Sequence, residues 1–233
     1  MASPGFVHLR LHSEYSIADG TLRIDDAVAA AAADRMPAVA LTDLANQFGL
    51  IKFYTAARAR GIKPIAGCDV WIANDSERDQ PARLLLLTAT RDGYLRLCDW
   101  LSRAYRAHQH RGRAQIDRKW FDEGTEGLIA LSGGRDGDVG NALQQGNAPA
   151  AKRLAAEWLA RFPQRYVLEV QRAGHADDEA LVHATVAPTS PRTRCSFSPP
   201  TISAPTRRAC ASPRATRSPI RGGRGDSRNS SIS

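Results

Sequence analysis

The chain is poor in cysteine, nearly devoid of lysine, and without any long apolar run. Its four cysteines stand at positions 68, 98, 195 and 210, and none forms a Cys-x-x-Cys pair. That argues against a cysteine zinc site and against a disulfide framework. Cys68 and Cys98 lie in apolar segments and read as buried free thiols. There is no apolar run of about 18 residues, so no membrane span is expected. The N-terminus has no apolar signal core, so the expected location is the cytoplasm. Lysine occurs four times against 28 arginines, and the net charge is +8. That charge is not spread evenly. Residues 187–233 hold nine Arg, no Lys and one acid, Asp226, whereas residues 1–186 balance 23 basic against 23 acidic side chains. The part with folding potential is therefore not expected to be a basic nucleic-acid-binding module.

What is present in residues 1–186 is an alternation of apolar β-type runs with helical patterns, the sign of a parallel α/β fold. Strands are expected over 6–10, 38–42, 64–71, 83–88, 127–132 and 165–170. Helices are expected over 23–34, 46–60, 91–108, 138–146, 148–161 and 175–186. Leu84 to Leu87 form a continuous apolar run, as in a strand covered on both faces. Thr21 and Asp25 frame the first helix, Gly61 ends the second, and residues 73–82 read as a loop at the rim. Trp71, Trp100, Trp120 and Trp158 read as core rather than interface. Asp43 and Asp69 fall at or just beyond strand C-termini, with His12 at the same rim, and that end of a β/α barrel carries the site. The organisation is one domain over 1–186 followed by an Arg/Ser/Pro-rich tail over 187–233.

Several blocks carry a family resemblance. They are Phe6-Val-His-Leu-Arg10-Leu-His12, Ala38-Val-Ala-Leu-Thr-Asp43, Gly49-Leu-Ile-Lys-Phe-Tyr54 and Gly61-Ile-Lys-Pro-Ile-Ala-Gly-Cys-Asp69. Leu84-Leu-Leu-Leu-Thr88, Gly127-Leu-Ile-Ala-Leu-Ser132 and Tyr166-Val-Leu-Glu-Val-Gln-Arg172 continue the series. In this order and spacing, over roughly residues 5–186, the chain resembles the PHP (polymerase and histidinol phosphatase) domain that opens the alpha subunit of bacterial DNA polymerase III. The resemblance implies a distorted, incomplete (β/α) PHP-type barrel related to the TIM barrel. It implies a place in DNA replication, with the polymerase region and its magnesium-holding aspartates beyond this chain. DNA-directed polymerase (nucleotidyltransferase) activity is then not expected of the chain alone. The partners implied are the proofreading exonuclease subunit, docked on a PHP scaffold, and other polymerase III subunits, with DNA reached only through the absent regions and no membrane contact.

Metal-holding members of that family surround up to three metals with His, Asp and Glu, and a bound water is the nucleophile. This sequence departs from the pattern at each motif. Arg10 stands in the first position of His-x-His, and a guanidinium has no lone pair for a metal. Leu44 follows Asp43 where Thr-Asp-His is expected, Asp69 stands in a Gly-x-Glu position, and Arg172 stands near where active members carry His. The expectation is a vestigial polar cluster of Arg10, His12, Asp43, Leu44 and Asp69, with no catalytic residue, no cofactor and no metal. In it Arg10 replaces the metal as counter-charge to Asp43 and Asp69. The alternative is a PHP-superfamily metal-dependent phosphoesterase or 3′–5′ exonuclease with a residual site at His12 and Asp43. His8 reads as a core or edge histidine, His108 and His110 as a solvated helix end, and His175 and His183 as helix surface. Ser132-Gly133-Gly134 fits a phosphate-cradling turn weakly and a tight β–α turn better.

From Ala187 the alternation stops, and the next 47 residues hold ten Ser, nine Arg, seven Pro and five Thr. One reading is a disordered Arg/Ser/Pro tail that binds nucleic acid or membrane. The other is a slipped reading frame in a GC-rich gene. If each original codon is the last base of one tail codon plus the first two of the next, free codon choice lets Thr206 onward spell HEARVCIAEGDTLADPRRPRRFTQQQYF. Residues 199–202 similarly permit Ala-Thr-His/Asn followed by Asp, His or Asn. Both strings resemble the family's continuation. On that reading Arg224-Gly225-Asp226 and Gly222-Gly223-Arg224-Gly225 carry no meaning. The barrel then keeps an open sheet edge, and the product is expected to be disordered in its tail and prone to aggregate.

Overall fold

The computed structural model describes residues 6–17 and 19–186, and the backbone of 194–198. The readings on Cys210, on residues 199–202 and on the motifs at 222–226 lie outside the described residues.

The elements run α1 (Ile24–Ala33), β1 (Ala38–Leu41), α2 (Leu50–Ala59), β2 (Lys63–Ile72), β3 (Ala82–Thr88) and α3 (Arg91–Ala107). A short hairpin follows, β4 (Gln109–His110) and β5 (Arg113–Ile116), then β6 (Leu128–Leu131), α4 (Asp138–Gln144), α5 (Ala148–Arg161), β7 (Tyr166–Gln171), α6 (Asp178–Val186) and β8 (Arg194–Ser198). Two 3₁₀ turns, Arg118–Glu123 and Gly134–Asp136, sit on either side of β6. The strand order is β4-β5-β2-β3-β6-β7-β8, with β1 on the remaining flank of β2.

This is the expected incomplete α/β barrel, with corrections. The sheet is mixed, because β3 runs antiparallel to both β2 and β6. Only residues 73–81 join β2 to β3. A connection without a crossover helix returns the chain antiparallel. The strand expected over 6–10 is a single bridge, His8 to Val39. Farther along, the Thr42 amide donates to the Leu11 carbonyl at 2.9 Å and the Thr42 hydroxyl accepts from the Leu11 amide at 2.8 Å. Thr21 does not cap α1, whose N-cap is Arg23 without a side-chain hydrogen bond. The helix expected to end around His108 and His110 stops at Ala107, and the chain turns into the β4–β5 hairpin. Within the segment expected to be irregular, β8 pairs in parallel with β7 from Arg194 to Ser198. An open sheet edge offers unpaired amides and carbonyls to any neighbouring chain.

The strands position the core by strict alternation. Leu84 and Leu86 face an outer cluster with Trp100, Phe121, Leu128, Trp158 and Phe162 under α3 and α5. Leu85 and Leu87 face the barrel interior with Ala40 and Leu131. Burying each leucine fully is worth about 1.5–3 kcal/mol, so both faces of β3 reward this run. A third cluster seats α1 and α2 on β1 through Ile24, Val28, Val39, Leu41 and Phe53. Trp100, Trp120 and Trp158 are buried as expected. Trp71 is half-buried, with Arg83 at 4.6 Å and Arg113 at 5.1 Å from its ring centre. Cys68 is buried, whereas Cys98 is only half-buried, its thiol 3.4 Å from Gln47 Oε1.

Candidate functional site

Strand alternation in β2 and β7 buries two carboxylates inside apolar runs. Asp69 lies between Cys68 and Val70, and Glu169 between Leu168 and Val170, and all six residues are buried. Buried carboxylates need counter-charges or hydrogen bonds. Arg10 supplies them. Its guanidinium meets Glu169 as a fork, Nε to Oε1 at 2.7 Å and Nη2 to Oε2 at 2.9 Å. Its third nitrogen, Nη1, donates to Asp69 Oδ2. The Arg10 side chain is 18% exposed, against 0% for Asp69 and 2% for Glu169.

Two more cations complete the cluster. His12 places Nδ1 3.0 Å from Asp19 Oδ1 and Nε2 3.1 Å from Asp69 Oδ2. Arg83 donates to Asp69 Oδ2 at 3.3 Å and to Asp19 Oδ2 at 3.0 Å. Arg10, His12 and Arg83 thus face Asp19, Asp69 and Glu169, three cations against three carboxylates. Gln171 closes the far side by donating to Glu169 Oε1 at 2.6 Å, and Ser132 Oγ accepts the Glu169 amide at 2.9 Å.

The electrostatics follow from this packing. Burial disfavours the charged form of His12, but its hydrogen bonds to Asp19 and Asp69 and their charges outweigh burial and raise its pKa to about 9. Burial likewise pushes Asp69 up, yet Arg10, then His12 and Arg83, pull it down to about 2. Asp19 is also lowered, burial being overcome by His12 and Arg83. Arg10 is desolvated, but Asp69 and Glu169 hold it firmly protonated. Burial, with the charges of Asp69 and Asp43, pushes the Cys68 thiol well up, so it is no nucleophile at neutral pH.

Asp43 stands apart and corrects the expected pairing with Arg10. Its Oδ1 accepts the Ser13 amide at 2.6 Å and the Ser16 hydroxyl at 2.8 Å, and the Ser13 hydroxyl lies 2.9 Å from both oxygens. Asp43 anchors the loop after His12 by hydrogen bonds alone. Leu44 contributes its backbone, a bridge to Asp69 and an amide donating to Ser16 Oγ at 2.9 Å. Arg172 lies at the cavity rim and pairs with Glu179, Nη2 to Oε2 at 3.2 Å. Of the expected cluster, the fold therefore brings together Arg10, His12 and Asp69. It adds Glu169, Arg83 and Asp19, the last two unremarked in the sequence. An isolated charge within an apolar strand was the available signal for Glu169.

The other histidines do not join. His8 is half-buried against Phe6, and burial lowers its pKa. His108 meets Trp120 edge to face at 4.9 Å, and His110 Nε2 lies 2.5 Å from Asp79 Oδ1. His175 and His183 are exposed. Gly133 is left-handed at φ 79°, and a Cβ there would meet the Arg83 carbonyl oxygen at 2.3 Å. Gly133 is thus required by a close backbone approach and Gly134 by its positive φ of 57°, as in a tight β–α turn.

The cluster forms one wall of a cavity of about 1190 Å³ at the barrel mouth. Most of the donor atoms that a metal cluster would need are already taken, leaving Asp69 Oδ1 buried without a hydrogen-bond partner among the described residues. Both His12 nitrogens, both Glu169 oxygens and Asp69 Oδ2 are engaged by protein partners. Among the described residues no three His, Cys, Asp or Glu side chains are grouped so as to hold an ion.

A family model described as PHP domain matches residues 8–173. The chain belongs to the PHP domain family. It is 44% identical over 182 residues to DNA polymerase III subunit alpha of Pseudomonas aeruginosa, covering 78% of this chain and 16% of that protein. It is 45% identical over 186 residues to the Escherichia coli K12 subunit alpha, covering 80% and 16%. The chain thus spans about a sixth of the curated relatives it matches. An amidohydrolase from Chromobacterium violaceum, solved with bound sulfate and no metal, superimposes with a TM-score of 0.48 at 18% identity, over 77% of this chain and 82% of that one. No helix among the described residues is long and apolar enough to cross a membrane.

Proposed function

We propose that this chain is the PHP module of a DNA polymerase III alpha subunit in which fixed protein cations replace the metals, so that the module scaffolds and does not hydrolyse. The observation that carries the reading is the Arg10 fork between Glu169 and Asp69. A guanidinium stays charged and pairs carboxylates bidentately, so it balances the buried acids without offering a Lewis acid or an activated water. A module of this kind serves replication by docking. By resemblance its partner is the proofreading exonuclease, held at high local concentration near a primer terminus. Polymerisation belongs to the part of the relatives that this chain does not span.

The tail is proposed to be out of frame from about residue 187. The change in composition and the family-like shifted translation support this. Sequencing the gene across codon 187 tests it directly. Uninterrupted polymerase sequence in the tail's own frame in related strains would refute it.

The catalytic question is decided on the full chain. Metal content after purification is measured with phosphatase and 3′–5′ exonuclease assays in added manganese or zinc. The expected outcome is far less than one metal per chain and no turnover. Stoichiometric metal, together with hydrolysis lost in Asp43→Ala, would establish the metallophosphoesterase alternative instead.

A further inference from the structure

We propose that the end of the barrel opposite the ion cluster is a contact surface for a nucleic-acid backbone, formed by Arg35, Arg58, Arg60 and Lys63. Helices α1 and α2 end there side by side. The turn after α1 leads into β1 and the turn after α2 into β2, and the two are joined by the Lys63 amide donating to the Pro37 carbonyl at 3.0 Å. Ala38 and Lys63 are partners in the β1–β2 register. All four cations are exposed, and none of their side chains makes an ion pair among the described residues. The acid within these two turns is Asp34. Residues 1–186 carry no net charge, so this is a local concentration of positive charge.

A second observation concerns Arg35, which shares a positive φ with three other non-glycine residues, Ala45, Arg111 and Gln164. Both helices end in the same motif. After α2, Gly61 donates to Arg58 O at 3.1 Å and Ile62 to Ala57 O at 3.0 Å. After α1, Arg35 donates to Ala32 O at 3.0 Å and Met36 to Ala31 O at 2.9 Å. The left-handed position is Gly61 in one, at φ 71°, and Arg35 in the other, at φ 54°. Glycine takes that conformation freely, and a side chain takes it with strain. The strained position holds a cation.

Cations at helix C-termini also complement the helix dipole. That accounts for Arg58 in the last turn of α2, but not for a strained Arg35 or for Lys63 at the start of a strand. The neighbours Ala33, Pro37, Ala59 and Gly61 are exposed and small, giving no large apolar anchor of the kind protein interfaces centre on. Guanidinium forks suit phosphate. The partner is therefore a phosphodiester backbone, read without sequence preference.

The test uses the full chain, a labelled 30-base-pair duplex and a salt series. Arg35, Arg58, Arg60 and Lys63 are changed together to Gln. A control changes Arg78, Arg106, Lys119 and Lys152, also exposed but scattered. Each lost phosphate contact lowers the slope of log K against log salt by about 0.9, so the patch variant is expected to lose up to about 3.6 and the control less than about 1. Equal losses in both variants, or none in either, overturn the proposal. Arg35→Gly guards against misfolding. It removes one cation and relieves the backbone, so it should melt no lower than the parent while its slope falls by about 0.9. Displacement of the duplex by polyglutamate as readily as by unlabelled DNA would assign the patch to acidic proteins and refute the nucleic-acid assignment.

Discussion

Replacing Arg10 by methionine keeps an unbranched apolar stem and removes the charge that two buried carboxylates share. Removing one partner of a buried pair costs about 3–5 kcal/mol, because the other is left uncompensated. The low end applies here. Asp69 retains His12 at 3.1 Å and Arg83 at 3.3 Å, and Glu169 retains Gln171 at 2.6 Å. A loss of about 3 kcal/mol in a domain of this size lowers the melting temperature by about 6–12 °C. Arg10→Lys keeps the charge without the fork and should lose about half as much. Thermal unfolding followed by circular dichroism at neutral pH measures all three proteins. An Arg10→Met protein melting within about 2 °C of the parent would refute the view that this guanidinium holds the barrel mouth together.

The pH dependence has two limbs. His12, raised to about 9 from 6.5, contributes stability fully present below pH 6.5 and lost as pH rises through 9, about 3 kcal/mol in all. His12→Gln should flatten that alkaline limb, and an unchanged limb would count against the assigned protonation. Asp69, lowered to about 2 from 3.8, contributes about 2 kcal/mol present above pH 3.8 and lost as pH falls through 2, so Asp69→Asn should blunt acid unfolding. Asp43→Ala strands the Ser13 amide and two hydroxyls, at about 1–3 kcal/mol for each group left without a partner. It should speed amide exchange at Ser13, and unchanged exchange would contradict the anchoring role. If protein cations stand in for the metals as proposed, added manganese, zinc or chelator should leave the melting temperature unmoved, and a rise with metal would count against it.

Most elements were legible because the pattern was strong. The Leu84–Leu87 run and the helical stretch over 91–108 fall within a residue or two of β3 and α3. The antiparallel direction of β3 was not legible, since alternation says nothing about which way a neighbour runs. Residues 109–116 carry too little apolar sequence to announce a hairpin. In the site, Arg10 was readable as an anomaly and Asp69 as its partner. Asp43 was misassigned because a carboxylate caged by serine hydroxyls and one paired with arginine look alike in sequence. Glu169 and Arg83 escaped as counter-charges because they lie 159 and 73 positions from Arg10. Pairings of that range depend on how the sheet curls, which no local pattern encodes.

The 59 residues between Arg10 and Asp69 and the 159 between Arg10 and Glu169 also set an order of events on the ribosome. At about 5–20 residues per second, roughly 5–20 s of synthesis separate the two acids. The nascent N-terminal half must wait with a half-used guanidinium until β7 emerges. During that interval the early strands are open to capture by chaperones or by each other.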